Sequence, residues 1–362
     1  MSDAAGLSSF IDQVSGGSRL RVETDLGDGF VRLRVSEAER RQAIQDIRCV
    51  EDAVVEMLRN ARDAHARTIV VGSSRSGDVR RIVMVDDGDG VPERLREAVF
   101  EPRVTSKLDS MTMDDWGVHG RGMALYSIRE NAEDARISAS VEGQGSAFSV
   151  RFDARKVTER SDQSTAPSIA KGDDGAWSIV GGPHNIVRAV AEFALANRAS
   201  CTVYLGSLVD AAATLHAFGR QFLRGAGDFP RDADEAAPMK RLALASDAAD
   251  FALIAEGLGI ELSSRSAHRI IQGKIAPLSP LLETLRRESP DASVRLRNAK
   301  KADLARDFRG LKIAADDLDD FRESIRRAFA ELADRYYLEP DVDPSIRVAS
   351  DGLHVTFPVR KL

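Results

Sequence analysis

From Val54 to Ala66 the chain reads Val-Val-Glu-Met-Leu-Arg-Asn-Ala-Arg-Asp-Ala-His-Ala. Val54, Met57, Leu58 and Ala61 recur at three- and four-residue steps, so a helix here turns one apolar stripe to a core. Glu56, Asn60 and Asp63 stack on a polar stripe of the same helix. Upstream, residues 19–35 alternate apolar and polar around Asp25-Leu-Gly-Asp-Gly29, which predicts a β-hairpin. Ser36 with Glu39 three residues on predicts a capping box. The helix it opens runs, with a break near Asp46, into the Glu56 helix. Residues 68–72 and 79–86 read as strands, and Pro92 opens a short helix to Phe100. Residues 101–116 are polar and read as a mobile segment over a site. A helix over 121–131 follows. Residues 135–141 and 147–152 then pair as a hairpin through Gly143-Gln-Gly145.

The pattern changes after residue 157. Residues 158–176 are rich in Ser, Asp, Gly, Lys and Pro and read as a linker. Beyond it come a helix (184–197), a strand (201–205) and a helix (207–223), then a charged break. From Lys240 the pattern is mostly helical, ending in a long helix (317–336) and a hairpin turning at Asp351-Gly352. The domains expected are a flexible tail (1–18), a first domain (19–157), the linker (158–176), a small α/β segment (177–230) and a mainly helical region with its hairpin (231–362).

At 362 residues there is room for two or three domains. Hydrophobic content of 43% and charged content of 30% are those of an ordinary globular chain. A net charge of -6 gives no general attraction to nucleic acid or anionic membrane, though a local basic patch stays open. Cys49 and Cys201 sit in apolar contexts and suit a reducing cytoplasm. No signal peptide and no membrane span is expected.

Four stretches carry candidate chemistry. The Glu56 helix is one, although a solvated polar face explains it equally by itself. Val79 to Val91 is an apolar strand running into Asp86-Asp-Gly-Asp-Gly90, which alone is an ordinary tight turn. Gly117-Val-His-Gly-Arg-Gly122 is a Gly-rich loop opening a helix, and Glu142 to Val150 is a turn entering a strand. In that order, over about residues 20–155, they resemble the GHKL ATPase superfamily (gyrase B, the ninety-kilodalton heat-shock chaperone, histidine kinases and MutL). The motifs are nearest to those of the MutL-like hydrolase branch.

The resemblance implies a Bergerat-type α/β sandwich binding ATP and magnesium; with the mostly helical α/β C-terminal region read from the pattern, the fold class expected is α+β. Asp86 would accept from the adenine amino group, with the Ser146 hydroxyl behind it where the family commonly has Thr. Gly88 and Gly90 would let the backbone pass close to the base. Asn60 would bind the magnesium ion through its amide oxygen, and Asp63 would be a second anchor near the base. Thr105, Ser106 and Lys107 resemble the Thr-Ser-Lys element before the MutL lid. Gly117, Gly120 and Gly122 resemble the lid itself. The backbone N–H groups from Arg121 to Met123 would hold phosphate charge at a helix N-terminus. Glu56, one turn before Asn60, would be the general base that activates water. Histidine kinases usually carry an amide there. His65 departs from the glycine of many MutL helices.

Lid closure would drive a conformational or dimerisation switch, with a second copy of the chain as one partner. The alternatives are an ATP-dependent regulatory or DNA-associated protein with little hydrolysis, and a histidine or serine kinase-like protein. His184 follows the first domain and lacks an acidic neighbour, so it reads as a helix-start residue. No motif marks Lys171, Lys274, Lys300 or Lys301 as a phosphate-reaching lysine. Phe251 to Lys274 has the layout of a helix-turn-helix, with Arg265, His268, Arg269 and Lys274 along its second helix. A helical hairpin with a solvated basic face fits the same residues.

Overall fold

The structure, a computed structural model, describes residues 22–106, 112–114, 117–119, 122–172, 175–224, 233–288, 315–336, 338–349 and 352–359. The expected tail (1–18), the break at 225–232 and the final turn at 350–351 lie outside these. The chain divides into two compact units, 1–292 and 293–362.

The first unit opens with a hairpin, β1 (Val22–Gly27) and β2 (Phe30–Leu33), turning through Asp28 and Gly29. Helix α1 (Glu37–Asp46) begins at the expected capping box: the Ser36 side chain accepts from the Glu39 N–H, and the Glu39 carboxylate accepts from the Ser36 N–H. Helix α2 (Val50–Asp63) carries the Glu56 stripe, and its other residues are nearly all buried. Strands β3 (Thr68–Ser76) and β4 (Val79–Asp86) follow. From Pro92 to Phe100 the chain makes two 3-10 turns, Glu93–Leu95 and Ala98–Phe100, instead of one helix. Next come β5 (Val104–Thr105), β6 (Thr112–Asp114), β7 (Gly117–His119), α3 (Ala124–Asn131), and the hairpin β8 (Asp134–Val141) and β9 (Gly145–Asp153).

The stretch 158–176 is tied down along its length. Thr158 accepts from the Val50 N–H, Arg160 pairs with Asp52, and Gln163 donates to Glu51 at 2.8 Å. Its polar composition mimics a linker because its partners, in the first turn of α2, are distant in sequence. It then forms β10 (Ser168–Lys171), which pairs with β11 (Trp177–Val180). Helix α4 (Ile186–Ala196) is capped by Asn185, whose side chain accepts from the Arg188 N–H at 3.0 Å.

Strand β12 (Thr202–Ser207) joins the first domain's sheet. It pairs in parallel with β3, while β3, β4, β9 and β8 pair antiparallel, giving the order β12-β3-β4-β9-β8. Helix α5 (Leu208–Leu223), a 3-10 segment (Pro238–Leu244), α6 (Ala248–Gly257), α7 (Ser264–Ile271) and α8 (Leu281–Glu288) complete the unit.

The sheet is buried on both faces, with alternate residues dividing between two cores. Ile69, Val71, Ile82, Met84, Val150 and Phe152 pack with α2, α3 and α4. Val70, Val83, Val85, Ala139 and Ala147 pack with α5, the 3-10 segment, α6 and α7. The α+β class holds, with a second helical layer closing the back of the sheet. The boundary expected at 158–176 does not separate compact units, because β12 and α5 are built into that sheet.

The second unit holds α9 (Ala315–Arg335) and the hairpin β13 (Ser345–Ala349) and β14 (Gly352–Thr356). Phe329 stacks on Phe357 with ring centroids 4.2 Å apart, and Arg326 pairs with Asp341 and Asp343. No helix among the described residues is long and apolar enough to cross a membrane.

If the back layer belongs to the same cooperative core, truncating it destabilises the whole first unit. Leu242 is fully buried there. Leu242→Ala is expected to cost about 2–5 kcal/mol in urea unfolding, shifting one transition without adding a second.

Candidate functional site

Strand β4 delivers Asp86 to the α2 face of the sheet, two residues beyond Met84 and four beyond Ile82. In register across the strand pair stands Ser146. The Ser146 hydroxyl donates to one Asp86 oxygen at 2.6 Å, and the Gly88 N–H donates to the other at 2.9 Å. A carboxylate has about four acceptor positions, so acceptor capacity remains for a further donor. Asp86 is 5% exposed.

The turn after Asp86 is compressed from two sides. Gly90 has φ +69, and a Cβ there would lie 2.3 Å from the Val141 carbonyl oxygen. At Gly145, φ is +105 and a Cβ would stand 2.0 Å from the Asp86 carbonyl oxygen. Only glycine fits such approaches. Asp87, which the sequence reading passed over, anchors the turn by accepting from the N–H groups of Arg67 and Thr68, both at 2.7 Å.

The C-terminal end of α2 meets this turn. Asp89 N–H donates to the Ala64 carbonyl at 2.7 Å, and His65 Nδ1 lies 2.7 Å from the Asp89 carboxylate. His65 takes φ 60, the left-handed conformation that favours glycine at a helix end. On the polar stripe of α2, Asp63 receives two bonds from the neighbouring Arg62, at 2.9 and 3.0 Å. The amide nitrogen of Asn60 is buried with no hydrogen-bond partner among the described residues. Since the two ends of an amide are assigned by network and not observed, a buried end without a partner suits an oxygen turned to a cation. Among the described residues no group of three acidic, His or Cys side chains could hold a metal. Asn60 therefore fits an ion that takes most of its oxygens from phosphate and water, as magnesium does.

Glu56, one helical turn up, is paired with the buried Arg59. Arg59 is a second residue missed in the sequence, although the three-residue spacing is that of a helical ion pair. Both border a cleft of about 220 Å³ between α2 and α4, lined also by Arg160, His184 and Arg188.

A second group gathers where α3 begins. Thr105, in β5, is buried and Ser106 beside it is exposed. The Arg103 N–H donates to the Gly122 carbonyl at 2.7 Å, bringing the two ends of the intervening loop together. Met123 is the cap of α3, its carbonyl accepting from Ser127. Gly117 lies in β7. Lys107, Gly120 and Arg121 lie outside the described residues.

Desolvation pushes the Asp86 carboxyl up to about 6 from an ordinary value of 3.8, outweighing its hydrogen bonds from Ser146 and Gly88. A raised carboxyl disfavours the folded state where it must ionise. Below about pH 3.8 both folded and unfolded chains are protonated. As pH climbs from there through about 6 the cost grows to on the order of 3 kcal/mol and is complete above that.

Residues 47–172 match the profile of the family described as "Histidine kinase-, DNA gyrase B-, and HSP90-like ATPase". Over 98 residues the chain is 40% identical to the DNA mismatch repair protein MutL of Thermus thermophilus, covering 26% of this chain and 17% of that protein. It is 37% identical over 108 residues to MutL of Acidiphilium cryptum, covering 30% of this chain and 18% of that protein. The chain thus spans less than a fifth of the MutL proteins it matches. Among solved structures, the mycobacterial sensor histidine kinase MprB aligns at 16% identity over 34% of this chain and 74% of that one, with a TM-score of 0.21.

Asp86→Asn removes the buried charge and keeps the shape. In urea unfolding without nucleotide the variant is expected to be more stable than wild type by about 1–3 kcal/mol near pH 8, and no more stable near pH 4. A gap that does not change with pH would mean that folding does not raise the Asp86 pKa.

Proposed function

We propose that the GHKL-type domain at residues 47–172 binds ATP with magnesium and hydrolyses it. The observation that carries this reading is the buried Asp86 carboxylate. It is held by Ser146 and Gly88 on the sheet face beneath the helix that presents Glu56 and Asn60.

In this reading the ionised Asp86 accepts from the adenine amino group. That contact selects adenine over guanine, whose corresponding position bears a carbonyl. Asp63, at the end of α2 beside the same turn, lines the base. Asn60 holds the magnesium ion, which when bound neutralises phosphate charge. Backbone N–H groups at the start of α3, after Gly122, face the phosphates, where a helix N-terminus favours negative charge. Thr105 and Ser106 flank them, with Lys107, Gly117, Gly120 and Arg121 in the loop between.

Glu56 is the general base. It takes a proton from water as the water oxygen bonds to the terminal phosphorus and the bond to the ADP oxygen breaks. Arg59 orients the Glu56 carboxylate until then. The loop between Arg103 and Gly122 closes over bound nucleotide and excludes water. The closed state is the output: a conformational or dimerisation switch read by the rest of the chain or by a second copy of it. Hydrolysis resets it.

The test is phosphate release by the full chain with ATP and magnesium. Glu56→Ala is expected to bind ATP and to lose about 10²–10⁴-fold in kcat. Asp86→Asn is expected to fail to bind. Undiminished turnover in Glu56→Ala would remove its role as base. Labelled phosphate carried on the protein itself would move the reading to a kinase.

A further inference from the structure

The ATP chemistry leaves one feature of the first unit unused: the pair α6–α7 on the back of the sheet. We infer that this pair is a helix-turn-helix whose α7 face binds duplex DNA, an activity independent of the nucleotide reading above.

The pair is a built unit. Phe251 and Ala255 from α6, Leu258 and Ile260 from the turn, and Ala267 and Ile270 from α7 are all buried in one core. The turn is seated by Gly259 at φ +81, where a Cβ would lie 2.6 Å from the side chain of Ser149 in β9. Ser263 caps α7, its hydroxyl accepting from the Ser266 N–H at 3.2 Å.

The outer side of α7 is defined by the same periodicity. Ala267 and Ile270 point inward. Arg265, His268, Arg269 and Gln272, at steps of three and four, form the opposite stripe and are exposed. Lys274 extends it beyond the helix end.

The charge of this stripe is not accidental to a basic chain, for the chain as a whole is acidic, with 57 Asp and Glu against 51 Lys and Arg. From Leu262 to Leu282 no carboxylate occurs at all. Most arginines on the first unit's strands and helices are engaged by carboxylates. Arg265, Arg269 and Lys274 form no ion pair among the described residues. Glu261, the acidic side chain nearest in sequence, is turned to Arg81. An uncompensated row of cations costs self-repulsion unless a polyanion takes it up.

Geometry selects among polyanions. An α-helix with its side chains is about 10–12 Å across, and the major groove of B-form DNA, about 12 Å wide, admits it. The major groove of A-form RNA is too narrow for it. A flat anionic membrane would call for a broad apolar face beside the cations, whereas the apolar face of α7 is spent on the core.

The test uses the full chain and a labelled duplex of about 20 base pairs, with binding followed by fluorescence anisotropy between roughly 50 and 200 mM salt. Wild type is expected to bind with affinity falling steeply as salt rises. The triple variant Arg265→Ala/Arg269→Ala/Lys274→Ala is expected to bind at least about tenfold more weakly and to lose about 3 from the salt slope, near 0.9 for each phosphate contact. Arg269→Glu alone is expected to shift both in the same direction. Arg286→Ala/Arg287→Ala, exposed on α8, leaves binding unchanged. ATP turnover stays at the wild-type level in all of them, which separates this test from that of the nucleotide site. Absence of duplex binding at the lowest salt would overturn the inference. So would an unchanged slope in the triple variant, or equal affinity for an RNA duplex or for phosphatidylserine vesicles.

Discussion

The constraint on which the first unit turns is a carboxylate held where a carboxylate does not want to be. Asp86 ends an apolar strand on the inner face of a sheet, and among the described residues it has no ion-pair partner. Its oxygens are held by a hydroxyl from the next strand and an N–H from its own turn. Each support fixes something else. The Ser146 bond ties the register of β4 to β9. The Gly88 bond shapes a turn so tight that Gly90 and Gly145 tolerate no side chain. That turn in turn receives the end of α2. A group costly to ionise in the empty protein is one whose remaining acceptor capacity has a partner worth waiting for, which is why the nucleotide reading rests on it and not on any single motif.

Much of this was legible in the sequence where the physics is local. The Ser36–Glu39 box, the apolar stripe of α2 and the paired strands around Gly143-Gln-Gly145 all depend on residues within a few positions of each other. Asp86, Gly88, Gly90 and Ser146 are placed together by the resemblance to the GHKL superfamily, not by the turn chemistry, which alone marks only a tight turn. The structure puts them in one spot, with Asn60 and Asp63 on the helix that abuts it.

What was not legible is non-local. The parallel pairing of β12 with β3 has no turn to announce it, and the segment from Thr158 to Gln163 looked like a linker because its partners in α2 lie a hundred residues back. One signal was available. Ile69-Val-Val71 and Ile82-Val-Met-Val85 are continuous apolar runs, not alternating ones, and a strand that is apolar on both sides is covered on both. Taken seriously, those runs require a second layer before any helix of it is identified. Arg59 was legible too, as the ion-pair spacing from Glu56, but ion pairs on a charged helix are too common to single out. The short helix expected from Pro92 became two 3-10 turns, a difference that proline at a helix start cannot decide.

The two-sided burial of the sheet has a mechanical consequence. Val85 and Asp86 share a peptide bond yet belong to opposite faces: one is packed among the helices that carry the α6–α7 pair, the other waits in the nucleotide face. Ala147 and Ser146 repeat the arrangement on β9. Two packed cores are thus divided by a single sheet, whose alternate residues belong to each. Sliding β4 by a fraction of a residue would be registered on both sides at once, with no chain of intermediaries between them.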